Sequence, residues 1–269
     1  MSDRRQPARQ AGPEQDDDGS GPMMAALPGS IAAAWGLRER PGKGPKRGLS
    51  LSQIVQAGLA AAAADGLGAV SMSRVATELG VGTMSLYRYV ESKQELLDLM
   101  VDSALGPPPA ERAGARWRDG LAAWARAELG VYRDNLWALQ VPLAGPPAYP
   151  NALSWLEQAL RYLRRTGLDE EQKMAVILLV SNYVRTHATM ESQIDAAVRA
   201  AGTTGEAAMA GYGQLLRVLL DPRQFPELTA VAASGVMDKN DPWDENFEFG
   251  LDRILDGVEV LVRACGGQD

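Results

Sequence analysis

Between residues 83 and 89 the chain gathers groups able to do polar chemistry at a surface: the hydroxyls of Thr83 and Ser85, the phenols of Tyr87 and Tyr89, the Arg88 guanidinium and the Met84 thioether. A solvated helix face carries Glu and Lys instead; hydroxyls, aromatic tips and a guanidinium suit phosphate oxygens and base edges. The elements that position them follow from spacing. Val75, Ala76 and Leu79 fall on one helical face, Val81 and Leu86 continue that face after a break, and Gly80 stands where a sharp turn needs φ > 0. A third helix is expected from Ser92. Two short helices bent around a glycine form a helix-turn-helix, whose second helix enters a DNA groove.

Supporting elements flank this unit. Ser50 and Gln53 have capping-box spacing and open a helix through Ile54, Val55 and Leu59 that stops at Gly66. Ser71 or Ser73 caps the next helix, and Ser92 with Glu95 opens the fourth. Lys93 then lies in a first helical turn, where its ammonium and free backbone N–H groups approach one phosphate. Residues 107–109 are three prolines, which end that helix and mark a domain boundary.

The run from Val70 to Met100 resembles the DNA-binding domain of the tetracycline-repressor (TetR) family. That family has a small residue in the first helix, Gly in the turn, Leu-Tyr at the centre of the recognition helix, then K-x-x-L-L. The matching residues are Ala76, Gly80, Leu86-Tyr87, and Lys93 with Leu96-Leu97. By position, the resemblance implies phosphate or base contacts from Ser73, Arg74, Thr83, Met84, Ser85, Tyr87, Arg88 and Tyr89, and a phosphate contact from Lys93. It further implies an apolar effector pocket in a second domain.

Composition sets the frame. With 269 residues the chain is long for one small DNA-binding domain, so a larger second domain is expected. Its 27 basic and 34 acidic residues give −7, which argues against a protein that coats nucleic acid indiscriminately. Charge is uneven: residues 36–93 hold eight basic and four acidic residues, a net of +4, which leaves −11 elsewhere. Residues 1–35 are expected to be a disordered tail, in which residues 29–35 could form a short turn of helix, and their removal to matter little. Residues 36–48 form a Gly/Pro-rich arm with Arg38, Arg40, Lys43, Lys46 and Arg47, which lies along DNA or serves as a solvated linker. Residues 49–106 hold the reader and 110–269 the effector and dimerisation domain, giving an all-α chain.

In the second domain the helical stripe Trp117, Leu121, Trp124, Glu128, Tyr132 comes first, followed by a Pro/Gly-broken connection over 136–150. A helix capped by Asn151 comes next. Asp169 and Gln172 open the longest helix, to about residue 200; it is apolar nearly all round over 174–184 and should be covered on several sides. Residues 202–211 and 221–240 are expected to be mostly irregular, with a short helix over 213–220. The last helix starts at Asp241-Pro242 and carries Phe247, Leu251, Ile254, Leu255, Val258, Leu261 and Val262 on one stripe. Resemblance to the TetR C-terminal helix makes Leu251, Ile254, Leu255, Val258 and Val262 a homodimer interface with the long helix; the other reading is that both helices close their own domain.

No phosphate loop, paired metal ligands or serine elbow appears, so no enzyme activity, cofactor or metal is expected. One cysteine, Cys265, excludes an internal disulfide. Without a signal pattern or a long apolar run, a cytoplasmic protein free of membrane is expected. His187, the only histidine, is open to two readings, a ligand donor or a satisfied helical residue. With Met100, Trp117, Trp124, Trp137, Tyr149, Trp155 and Tyr183 it makes a candidate ligand set, whose aromatics otherwise form core. The function expected is a ligand-responsive regulator, a repressor that binds a palindromic operator as a homodimer and is released by a small molecule; the competing one is a DNA-binding regulator or architectural protein without an effector.

Overall fold

The computed structural model describes residues 28–37, 49–111, 114–142, 145–236 and 243–267. Arg38, Arg40, Lys43, Lys46, Arg47, most of the expected tail and Asp241-Pro242 lie outside the described residues. Among those described, every regular element is a helix.

After a short helix α1 (Gly29–Ala34), the reading unit is built from α2 (Leu51–Asp65), α3 (Met72–Glu78), α4 (Thr83–Leu86) and α5 (Lys93–Leu105). Its boundaries are written in caps. Ser50 and Gln53 form a reciprocal capping box; Ser71 accepts from the Arg74 N–H and Ser92 from the Glu95 N–H. The return contact from Glu95 goes to the Glu91 N–H, at 2.6 Å. Gly80 has φ +65°, the left-handed value the turn requires. Ile54, Val70, Val75, Leu86, Val90, Leu96 and Met100 are fully buried in this unit's core. Gly58 lets α2 and α5 approach: a Cβ there would stand 2.6 Å from Met100 Sδ.

The second unit comprises α6 (Trp117–Asp134), α7 (Pro150–Leu163), α8 (Glu170–Ala200), α9 (Gly205–Leu219), α10 (Pro226–Ala233) and α11 (Trp243–Ala264). α8 begins in the expected Asp169–Gln172 capping box and, at 31 residues, extends about 46 Å. Its Val176, Ile177, Val180 and Val184 join Leu121, Trp124, Leu129, Leu163, Phe247, Leu251 and Leu255 in one core. Within one protomer α8 is covered on one side only, and Met174, Leu178 and Leu179 on the other are exposed.

Two stretches expected to be irregular are helical. Thr204 caps α9 through the Ala207 N–H, and Pro226 supplies the fixed φ of a first-turn proline for α10. Between α6 and α7, residues Leu136–Gln140 form a 3-10 stretch. It sends Trp137, Ala138 and Val141 into the core of the reading unit, although they follow the first helix of the second.

Candidate nucleic-acid interface

α4 is one turn long and is held by Leu86, its only buried residue, so the side chains around it are free to serve a surface. Met84 is 77% exposed and Tyr87 43%, large values for side chains whose apolar parts ordinarily seek cover. Arg88 and Lys93 are exposed, with no ion pair among the described residues. Thr83, Ser85 and Tyr89 are half-buried at the rim, Tyr89 resting against the core. On the preceding helix Ser73 and Arg74 are exposed. Arg74 differs from Arg88 in being engaged: it pairs with Asp65 at 3.2 Å and lies 3.8 Å from Glu78. A phosphate would have to replace those carboxylates. Ser73 shares a 3.1 Å hydroxyl contact with Ser71.

The helix that carries Lys93 at its start reaches the second unit at its end. There Asp102, buried, accepts the Ala152 N–H at 2.8 Å and the Asn151 Nδ2–H at 3.2 Å. Asn151 Nδ2 also donates to the Asp102 carbonyl at 3.0 Å. The expected capping of α7 by Asn151 is corrected: the N-cap position is Tyr149, which makes no side-chain cap, Asn151 lies within the first turn and donates to α5, and the acceptor for the Ala152 N–H is the Asp102 carboxylate. Burial raises the Asp102 pKa above the usual carboxylate value, while the bonds from Ala152 and Asn151 oppose it. Trp155 donates its indole N–H to the Gly106 carbonyl at 3.0 Å. Arg185 of α8 donates to the carbonyls of Leu139 and Val141, both at 3.1 Å, gripping the segment plugged into the reading unit.

The eight candidate ligand residues do not form one group. Met100 and Trp137 are buried in the reading unit's core and Tyr149 packs on it. Trp117, Trp124 and Trp155 are buried in the second core, where Trp124 donates to the Trp155 carbonyl at 3.0 Å. Tyr183 and His187 do meet, with ring centroids 6.1 Å apart, and Phe247 and Trp243 complete the cluster at 5.1 and 5.5 Å from the imidazole. A cleft of about 330 Å³ between α9 and α10, lined by Arg217, Leu220 and Thr229 among others, involves none of the eight.

A polar group deep in the second unit escaped the candidate set. Glu128 of α6 is buried against Ser181 of α8, whose hydroxyl donates to both carboxyl oxygens at 3.3 and 3.2 Å, with Arg185 and Tyr132 beside it. Burial pushes the Glu128 carboxyl up to about 8; the Ser181 hydrogen bond and the Arg185 charge act against it. Its signal was present in the sequence as a glutamate inside an apolar stripe.

The dimer stripe needs correction. Leu251, Leu255, Val258 and Val262 face the protomer's own core, and Ile254 packs at its edge. The apolar side chains that α11 leaves bare are Phe249, Val260 and Leu261. An amphipathic stripe does not distinguish burial against a partner from burial against the same chain.

Residues 54–100 match the family model "Bacterial regulatory proteins, tetR family", and residues 108–262 match "Tetracyclin repressor-like, C-terminal domain". The chain belongs to the TetR family. It is 38% identical over 255 residues, 94% of this chain and 92% of the relative, to the HTH-type transcriptional repressor DrrR1 of Streptomyces coeruleorubidus. It is 28% identical over 239 residues, 84% of this chain and 88% of the relative, to the HTH-type transcriptional repressor Rv1353c of Mycobacterium tuberculosis. The structure of the TetR family protein ActR of Streptomyces coelicolor in complex with actinorhodin superposes with a TM-score of 0.68 and 29% identity, covering 82% of this chain and all of ActR. As a TetR-family regulator the chain is a DNA-binding protein and not an enzyme. Among the described residues no helix is long and apolar enough to cross a membrane, and no group of His, Cys, Asp and Glu could hold a metal ion.

Proposed function

We propose that this TetR-family chain is a homodimeric repressor that reads a two-fold-symmetric operator with Thr83, Met84, Ser85, Tyr87, Arg88 and Tyr89. Ser73, Arg74 and Lys93 hold the backbone, and a small molecule in the second unit releases the DNA. The observation that carries this is the bare reading face: Met84, Tyr87, Arg88 and Lys93 are exposed, while Leu86 beneath them is fully buried. Side chains kept out of the core at one helical turn have their value in an external contact.

The partner surface in this reading is the unpaired side of α8 and α11. Leu178 and Val260 are 61% and 69% exposed, and Gly257 has open space where a Cβ would stand. Two-fold pairing of such faces matches operator symmetry. Arg38, Arg40, Lys43, Lys46 and Arg47 add phosphate or minor-groove contacts ahead of α2. For the effector, the aromatic group of Tyr183, His187, Trp243 and Phe247 offers stacking surfaces, and ActR, which shares the fold, is known bound to actinorhodin. A ligand that favours the non-binding arrangement by about 2–3 kcal/mol lowers operator affinity roughly 30- to 150-fold.

Selection of duplexes from a random pool tests this directly. The expected product is one palindromic consensus, bound by two chains and displaced by a small molecule, with actinorhodin as the first probe. Enrichment of no sequence contradicts a specific regulator; an operator bound by one chain contradicts the dimer.

A further inference from the structure

The N-terminal residues 28–37 lie on the joint between the two units, and nothing in the reading function employs them. α1 packs against α5, with Ala34 at the edge of the reading unit's core. Ser30 is fully buried, its hydroxyl 3.2 Å from the Tyr149 hydroxyl, and the Trp35 indole N–H donates to the Ala148 carbonyl at 2.8 Å. Ala148 and Tyr149 lead directly into α7, the helix whose first N–H groups are held by Asp102 of α5. α1 therefore touches both sides of the Asp102 joint: the helix that carries Lys93 and the strand of chain entering α7.

We propose that α1 is an intramolecular latch that fixes the second unit against the reading unit and so sets operator affinity. This rests on the reading of the chain as a DNA-binding regulator. A six-residue helix does not persist alone in water, and Pro28, at its N-cap position, supplies no side-chain cap. α1 is thus folded because it is docked, which makes docking and folding one two-state event. Two hydrogen bonds and one packed face oppose the ordering of six residues, a marginal balance that a small displacement of α7 reverses. Docked, α1 closes a triangle with α5 and α7 and restricts how far α5 swings. Released, it leaves Asp102, Trp155 and the segment around Trp137 held by Arg185 to keep the joint, which loosens, so the spacing of two recognition helices in a dimer spreads and the operator is held less tightly. On this proposal residues 29–35, which the sequence reading expects to be removable with little effect, belong to the joint.

The test uses the full-length protein with Trp35→Phe and Tyr149→Phe together, which remove one hydrogen bond each and leave an aromatic ring at each position. A second variant lacks residues 1–37. Hydrogen exchange of backbone amides over 148–153 is expected to accelerate by roughly tenfold, and affinity for a selected operator to fall by about three- to tenfold. The salt slope of binding should not change for the double mutant, because neither side chain reaches DNA. Unchanged exchange over 148–153 in both variants overturns the latch, as does accelerated exchange with unaltered operator affinity. A changed salt slope in the double mutant also overturns it, assigning Trp35 to DNA instead. If the wild-type protein binds no selected duplex, the regulator reading fails, and the exchange comparison, which needs no DNA, still decides whether α1 holds the joint.

Discussion

Asp102 places one carboxylate oxygen 2.8 Å from the backbone nitrogen of Ala152, so a side chain of the lever helix α5 caps a helix of the other unit. Caps are ordinarily supplied from the residue just before the helix; here the partner is fifty positions away, and the bond ties two cores together. Asp102→Ala should cost about 1–2 kcal/mol, combining a lost cap with Ala152 and Asn151 groups left unpaired. Asp102→Asn, which keeps one carbonyl acceptor, should cost less. Urea unfolding measures both, and equal losses would show that charge and not hydrogen bonding is what counts.

Glu128 gives a pH dependence of definite sign. Its folded pKa, about 8, lies above the ordinary 4.5, so the folded state binds the proton more tightly than the unfolded one. Stability from this group is therefore full below about 4.5, falls as pH rises through that window, and levels off above about 8. The span is on the order of 3–5 kcal/mol. Glu128→Gln should flatten the fall in thermal stability between pH 6 and 9 and match or exceed the wild type at pH 9. A variant that keeps the wild-type slope would show the carboxyl to be ionised throughout.

Charges placed on the bare side of α8 and α11, and on the buried face of α11, should separate dimerisation from folding. Leu178→Arg with Val260→Arg, both on exposed positions, should yield a folded monomer in sedimentation. Leu255→Glu, at a fully buried position, should instead unfold the protomer. A stable dimer from the first pair would move the interface away from α8 and α11.

What the sequence made legible was local. Ser50, Gly80, Ser92 and Asp169 fix helix ends through bonds made within a turn, so the reader and the start of α8 were readable without tertiary context. What depends on partners far away in the chain was not. Leu255 and Val260 belong to one amphipathic helix, and only packing decides which face meets its own core. Trp137 follows α6 in order yet fills the core beside Met100, and Tyr149 serves Ser30 at the joint. The small residues of 205–211 hid the capped first half of a helix whose second half was expected, and Glu128 is a single polar position within an apolar stripe.

The central claim is that the face around Tyr87 and Lys93 holds DNA phosphates, and the salt dependence of operator binding tests it most directly. The measurement is the logarithmic slope of affinity against salt for wild type, Tyr87→Ala and Lys93→Ala on the same duplex, with melting temperature as the control for folding. The account predicts unchanged melting temperatures, weaker binding by both variants, and a slope shallower by about two ions per dimer for Lys93→Ala. Affinities and slopes equal to wild type in both variants would contradict it.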